Sequence, residues 1–424
     1  MSLIRSNLST QLHHAICALS ALNLSYRGQA TLEEAIEHYD RALSAQSPTP
    51  STSAMLSDGV FLRHYLLFIY DISMTVDASN AGAGMWADHL KHLVRLTQNR
   101  VAHFGKEPHA FVMWSICSFD AYACLMGNGD CEYFRTILED QILPPLGTAM
   151  SLTALPRSTT VTNWPKEAQV FGSIMNLIRG VLIHTSKIAQ AAQIFRAEAA
   201  DRASVSPGRC ARWQAQVFQL QNDLSNFWMH AYPDFLEKDS PTAGQSLDPR
   251  IRYVFEHVRT PRPCRSPFKR ILEPKLTNAI QSQAYLLHQA TTLYARTSMF
   301  PAQRQLPSAN KSALAADTET RVAHILTLAT SILEARDLAR REVVFPCFIA
   351  GCATTDPHTK RRFVSLLRAF EGHGIGQNTG VVRELLVGVC EEQRRSVEAG
   401  RGAEGVEWLR FGRERGMSVV NCGL

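Results

Sequence analysis

Apolar residues recur every three or four positions along most of this chain, and stretches in which apolar and polar residues alternate are almost absent. That period belongs to a helix with one buried side, so the chain is predicted to be all-α. Leu12, Ala15, Ile16, Leu19 and Leu22 form a first stripe, and Leu32, Ala35, Ile36, Tyr39, Ala42 and Leu43 form the next. After Pro48 and Pro50 a third helix is expected over 58–74, capped by Ser57 or Asp58. Helices are also expected near 85–99 and 108–126, the second opened by Pro108 in its first turn.

A proline-containing break over 144–165 precedes the longest periodic segment, about 165–203, where Gly172 and Gly180 are candidate kinks. A helix over 208–230 follows. Seven of the 19 prolines then fall between 231 and 276, which makes that stretch a crossing loop rather than long helix. Helices resume over 276–299, 316–341, 358–371, 379–399 and 403–415, with the run from Gly372 to Gly380 separating two of them. The expected architecture is one large helical array or bundle of about 12 to 16 helices. It is expected to span 1–424 as one domain, with a candidate sub-boundary in the loop 231–276.

At 424 residues, 45% hydrophobic and 19% charged, the chain can bury a sizeable core. The net charge of +6 divides into −5 over residues 1–150, +8 over 151–300 and +3 over the remainder. Its basic residues are scattered, whereas a nucleic-acid module concentrates them on one element. Direct DNA binding is therefore not expected of these residues. The densest basic stretches, Arg259 to Arg270 and Lys360 to Arg362, read first as a solvated loop and a helix face; an import signal or a patch for acidic partners is the alternative. Ten cysteines without a C-x-x-C read as reduced, buried thiols. The long uncharged run 276–295 is too rich in Thr, Asn, Gln, Ser and His to cross a membrane. Arg5 and the apolar stretch 15–24 loosely imitate a secretory leader, but His13, His14, Ser20 and Asn23 interrupt it and its apolar positions recur at helical spacing.

Several groupings could carry chemistry and are better read as structure. Cys117, Cys124 and Cys131 are seven apart, but Gly127, Asn128 and Gly129 should end the helix before the third, and zinc thiolates come in closer pairs. Asp88, His89 and His92, like His13 and His14, lack further ligands nearby. Gly372, Gly374, Gly376 and Gly380 follow a helical pattern rather than a strand, which argues a connector and not a phosphate loop. Ser266 and Lys269 form an S-x-x-K without its companion motifs. Asn222 to Ser225 only half resembles a metal motif of all-α prenyl-converting enzymes. No catalytic residue, metal ligand or cofactor is expected.

Three stretches together resemble the fungal-specific transcription factor domain, the helical region that follows the zinc binuclear cluster in many fungal regulators. The first is 15–25 followed by AIEHYDRAL at 35–43, similar to an A-x-x-H-Y-x-x-A-L helix. The second is MWADHLKHLVRL at 85–96, with Trp114 and Asp120 in the helix beyond it. The third and most specific is REVVFPCFIAGCATT at 341–355, similar to an apolar-Phe-Pro-x-Phe-x-Ala-Gly-x-x-Thr signature, with a closing segment around Trp408. The residues carrying the resemblance are His38, Tyr39, Trp86, Phe345, Pro346, Phe348, Gly351 and Trp408, and they are expected to be fold determinants rather than reactive groups. Pro346 is expected to start an apolar segment, Gly351 to permit close packing, and Trp408 to cover the same core as Phe345.

The resemblance implies a nuclear regulatory domain of an RNA polymerase II transcription factor. It would activate, repress or sense a ligand through coregulator proteins, through a homodimer using Trp86, Phe111 or the 379–399 helix, or through a small apolar molecule between helices. In such a regulator DNA is bound by a separate zinc cluster domain, whose C-x-x-C-x6-C pattern does not occur in these residues. No membrane partner is implied. The rivals are a helical interaction scaffold and, further off, an all-α enzyme on a lipid or isoprenoid substrate.

Overall fold

The computed structural model describes residues 2–44, 56–74, 85–105, 107, 109–143, 164–200, 206–231, 273–306, 311–334, 342–371 and 378–417. These contain fourteen α-helices and no strand, so the fold is all-α. The 144–163 break, most of the 231–276 loop, the S-x-x-K, the 259–270 basic stretch and the 372–376 glycines lie outside the described residues. The chain divides into two compact units.

The first unit comprises residues 1–143, 371–385 and 408–424. It holds α1 (Ser2–Ser25), α2 (Leu32–Ser44), α3 (Asp58–Ser73), α4 (Met85–Phe104), α5 (Ala110–Leu125), α6 (Glu132–Glu139) and the closing helix Trp408–Glu414. α1 packs on α2 and α3, α3 on α4, and α6 on both α4 and α5. The small residues Ala15 and Ala18 let α2 come close, so Tyr39 and Leu22 meet in one cluster with Leu67 and Tyr70 of α3. α2 begins with a capping box: the Glu34 N–H donates to the Thr31 hydroxyl, and the Thr31 N–H donates to the Glu34 carboxylate. Ser57 caps α3 by accepting from the Val60 N–H, while Asp58 turns to Arg100.

The second unit comprises residues 144–370 and 386–407. Its helices are α7 (Trp164–Ala200), α8 (Pro207–Ala231), α9 (Glu273–Thr297), α10 (Lys311–Glu334), α11 (Val344–Ala353) and α12 (Pro357–Phe370). α13 (Asn378–Glu398) gives its first turns to the first unit and the rest to the second; the closing helix is α14. α9 is central, packing against α7, α8, α10 and α11. Residues 284–295 of α9 are buried all round, with His288, Gln289, Thr291 and Thr292 among them, which explains why the run there carries no charge.

Some boundaries differ from expectation for physical reasons. Within the 341–355 signature, Val344–Ala353 is not merely an apolar segment but a helix, with Pro346 third in its first turn, where no intrahelical partner awaits its missing N–H. Residues 403–415 are not one helix; a short 3-10 turn at Ala403–Gly405 precedes α14. α7 runs without interruption through Gly172 and Gly180. Gly180 instead admits the Phe227 ring of α8, whose ζ carbon lies 1.9 Å from where a Cβ would sit. Among the described residues no helix is long and apolar enough to cross a membrane.

Candidate functional site

The residues of the third signature form a structural clamp. Phe345, Pro346, Phe348 and Gly351 are all buried in α11, and a Cβ on Gly351 would meet both Leu386 methyls of α13 at 2.9 Å. The end of α11 is held by charge. Arg304 donates to the carbonyls of Cys352 (3.2 Å) and Ala353 (2.9 Å), placing a cation at the negative end of a helix. The Gln393 amide also donates to the Cys352 carbonyl, and Lys360 donates to the Gln393 oxygen. Glu319 of α10 accepts from the Thr354 hydroxyl (2.8 Å) and the Thr355 N–H (2.9 Å), and Asp356 caps α12. Lys360 is thus buried rather than part of an exposed basic run, while Arg361 and Arg362 stay exposed.

The other signature residues lie in the first unit. Tyr39 is buried and stacks on Tyr70 (4.6 Å), and half-buried His38 has its Nδ1 3.0 Å from Nδ1 of His14. His89 faces inward, 3.3 Å from the Tyr39 hydroxyl and 3.5 Å from the Asp71 carboxylate, with His64 beside it. Burial, joined by Arg63, His92 and His89, pulls the pKa of His64 down to about 2. Burial, with His92 and Arg63, lowers that of His89 to about 4, and burial raises that of Asp71 to about 7. Trp86 is buried with its ring against Gly129, which removes it as a dimer surface; Phe111, at 67% exposure, is open. Trp408 belongs to the first unit and Phe345 to the second, so Trp408 groups with a different core from the one expected.

Cys131 lies beyond the end of α5, in a left-handed conformation that starts α6. Among the described residues, no group of three or more His, Cys, Asp or Glu is placed to hold a metal. None of the described cysteines is joined in a disulfide.

A half-open cleft in the second unit has a volume of about 180 Å³. Ser225, Trp228 and Met229 of α8 line it, as do Tyr285, His288 and Gln289 of α9, both sets at the i, i+3, i+4 spacing of one helix face. Arg321 of α10 completes it. Trp228 and His288 stack at 4.4 Å and 24°, and Tyr285 meets Trp228 edge-on at 5.8 Å. The Tyr285 hydroxyl is 3.3 Å from the His324 ring. Arg321 donates to Gln289 (2.7 Å) and to Asp317 (2.8 Å), and Arg296 shares the same Asp317 carboxylate. Burial and the nearby Arg321 lower the Arg296 pKa to about 10. Sequence reasoning missed this cleft, because its residues come from three helices distant in the chain and only their equal spacing marks a shared face.

The fungal specific transcription factor domain model matches residues 2–422. No curated protein and no solved structure matches the chain.

Proposed function

The chain belongs to the fungal specific transcription factor domain family, and from that premise we propose that it works as the regulatory part of a nuclear transcription factor, changing the output of RNA polymerase II through protein contacts and a bound small molecule. The family match over 2–422 carries the reading. At family level it gives a role in transcriptional regulation and points away from an enzyme. The helical clefts supply a way to couple a ligand to coregulator surfaces, because a molecule that binds one helix arrangement better shifts the population toward it. Coregulators and a second copy are the proposed partners, with the exposed Phe111 and the 379–399 helix as candidate contacts. The eight signature residues act as fold determinants in this reading, and DNA contact is left to a zinc cluster domain.

A fusion to a heterologous DNA-binding domain in a fungal cell tests this. A change in reporter output in either direction supports it; a folded, nuclear fusion with no effect overturns it and moves the scaffold reading forward. The isoprenoid-enzyme reading makes a separate demand: thermal stability should then rise with Mg²⁺ plus diphosphate.

A further inference from the structure

We propose that a second copy of this chain docks its α2 on α12, the two helices running antiparallel, with Asp40 meeting Arg361, Glu33 meeting Arg368 and Ile36 seated over Ser365. The proposal names a surface for the second-copy contact in the regulatory reading above and rests on that reading only for its effect on transcription. The receiving side is α12. Its outward face carries Arg361, Arg362 and Arg368 around Ser365, all exposed, and the helix contains no acidic residue. The carboxylates that flank it are engaged elsewhere: Asp356 caps the helix, Glu371 pairs with Arg383, and Glu319 of α10 holds Thr354 and Thr355. Among the described residues the three arginines form no ion pair and no side-chain hydrogen bond. On α13, by contrast, the exposed Arg394 and Arg395 pair with Glu391, Glu392 and Glu398 of their own helix.

Charge and spacing identify the occupant. The helix α2 turns Ala35, Tyr39 and Ala42 inward and leaves Glu33, Ile36, Glu37, Asp40 and Leu43 outside, on one face. Glu37 is taken by Arg41 and Glu34 by the capping box, whereas Glu33 and Asp40 form no ion pair and no side-chain hydrogen bond among the described residues. The unmatched acids of α2 and the unmatched Arg361 and Arg368 of α12 are each seven residues apart, two helical turns or about 10.5 Å. An antiparallel approach therefore forms both ion pairs at once and opposes the two helix dipoles. Ile36, 41% exposed, then falls opposite Ser365, whose hydroxyl turns back to the Arg361 carbonyl at 3.0 Å and leaves a small residue for the branched side chain to cover. A nucleic-acid backbone would satisfy the arginines but give no role to the acids of α2. Exposed ion pairs each contribute little and are screened by salt, so the contact is weak and ionic-strength dependent. Because it joins unlike faces, it either occurs twice in a closed pair of chains or extends from copy to copy.

The test is sedimentation of the purified 424-residue chain at about 50 mM and about 500 mM salt. Association with a Kd below about 100 μM is expected at the lower salt, weakened at least about tenfold at the higher. Asp40→Arg or Arg361→Glu alone should weaken it by a similar factor. Each keeps the charge sense that its helix dipole favours, so the thermal midpoint should hold. Both changes in one chain should restore association to within about threefold of the wild type, whereas Asp40→Arg with Arg368→Glu, which a parallel alignment would match, should stay weak. A chain that is monomeric at about 200 μM in low salt, association indifferent to Arg361→Glu, or no recovery in the Asp40→Arg/Arg361→Glu chain overturns the proposal. A monomeric chain that instead binds polyglutamate or duplex DNA through Arg361 would assign this face to a foreign polyanion and overturn it as well. A silent reporter fusion with intact salt-sensitive association would sink the transcriptional reading alone, and an active fusion of a monomeric chain would sink this proposal alone.

Discussion

Arg100 is wholly enclosed in the first unit, where it donates to both oxygens of the equally buried Glu107, to Asp58 and to the Leu56 carbonyl. Its ring neighbours Phe61 and Phe104 complete the enclosure. Removing one partner of a buried pair leaves the other charge stranded, at a cost of about 3–5 kcal/mol. Arg100→Met should lose about that much in urea unfolding, and adding Glu107→Gln should recover part of it; a double variant no more stable than the single one would refute this reading. Asp120 sets a second test. Its fully buried carboxylate accepts from the Phe134 N–H at the start of α6, yet burial pushes its pKa up to about 7, with Asp130 and Glu132 adding to the rise. A raised folded-state pKa gives stability that is fully present below the unfolded value near 3.8 and is lost as pH rises through about 7. Asp120→Asn should therefore gain on the wild type between pH 5 and pH 8, read as the difference in thermal midpoints at each pH. A constant difference would contradict the assignment. Because His64 and His89 shift the opposite way in the same unit, the comparison is between variants and not of the wild type alone.

At the scale of elements, the signature helix α11 depends on what grips its end. Arg304→Ala removes two hydrogen bonds from carbonyls that have no helical partner, one of which keeps Gln393. A charge-assisted bond to a helix end contributes about 1–3 kcal/mol, so this variant should unfold earlier by that amount, and Arg304→Lys should restore only part. A cost below about 0.5 kcal/mol would show that the clamp is incidental. The elements differ in how far their sequences announce them. α2 carries an amphipathic stripe and a T-x-x-E cap, and both are visible in the residues. α11 hides because all ten of its residues are buried, so it has no polar side to generate a period, and its proline reads as a breaker. α6 is only eight residues long, too short for its pattern to stand out, and depends on Asp120 from another helix. The lining of the cleft was invisible for a related reason. Tyr285 and His288 belong to an enclosed helix with few charges, and Arg321 reaches them from a position more than thirty residues away.

For the whole molecule, the all-α class followed from the helical period alone, whereas the division into two units did not. The end segments 371–385 and 408–424 group with the N-terminal 143 residues, a long-range pairing that no local pattern encodes. The Asn378 amide, which donates to the Ile72 carbonyl at 3.0 Å, is one bond of that pairing. On the proposed reading, regulation depends on the folded chain rather than on any one segment. The most direct measurement is therefore reporter output from the DNA-binding fusion across a graded series of core variants. Phe348→Leu, Gly351→Ala and Phe345→Asp form the series, each paired with its folded fraction. Output should fall in step with that fraction, and the exposed change Phe218→Ser should leave it alone. Output that persists in the unfolded Phe345→Asp chain, or that is absent from the folded wild type, would contradict a regulatory role for the folded helical array.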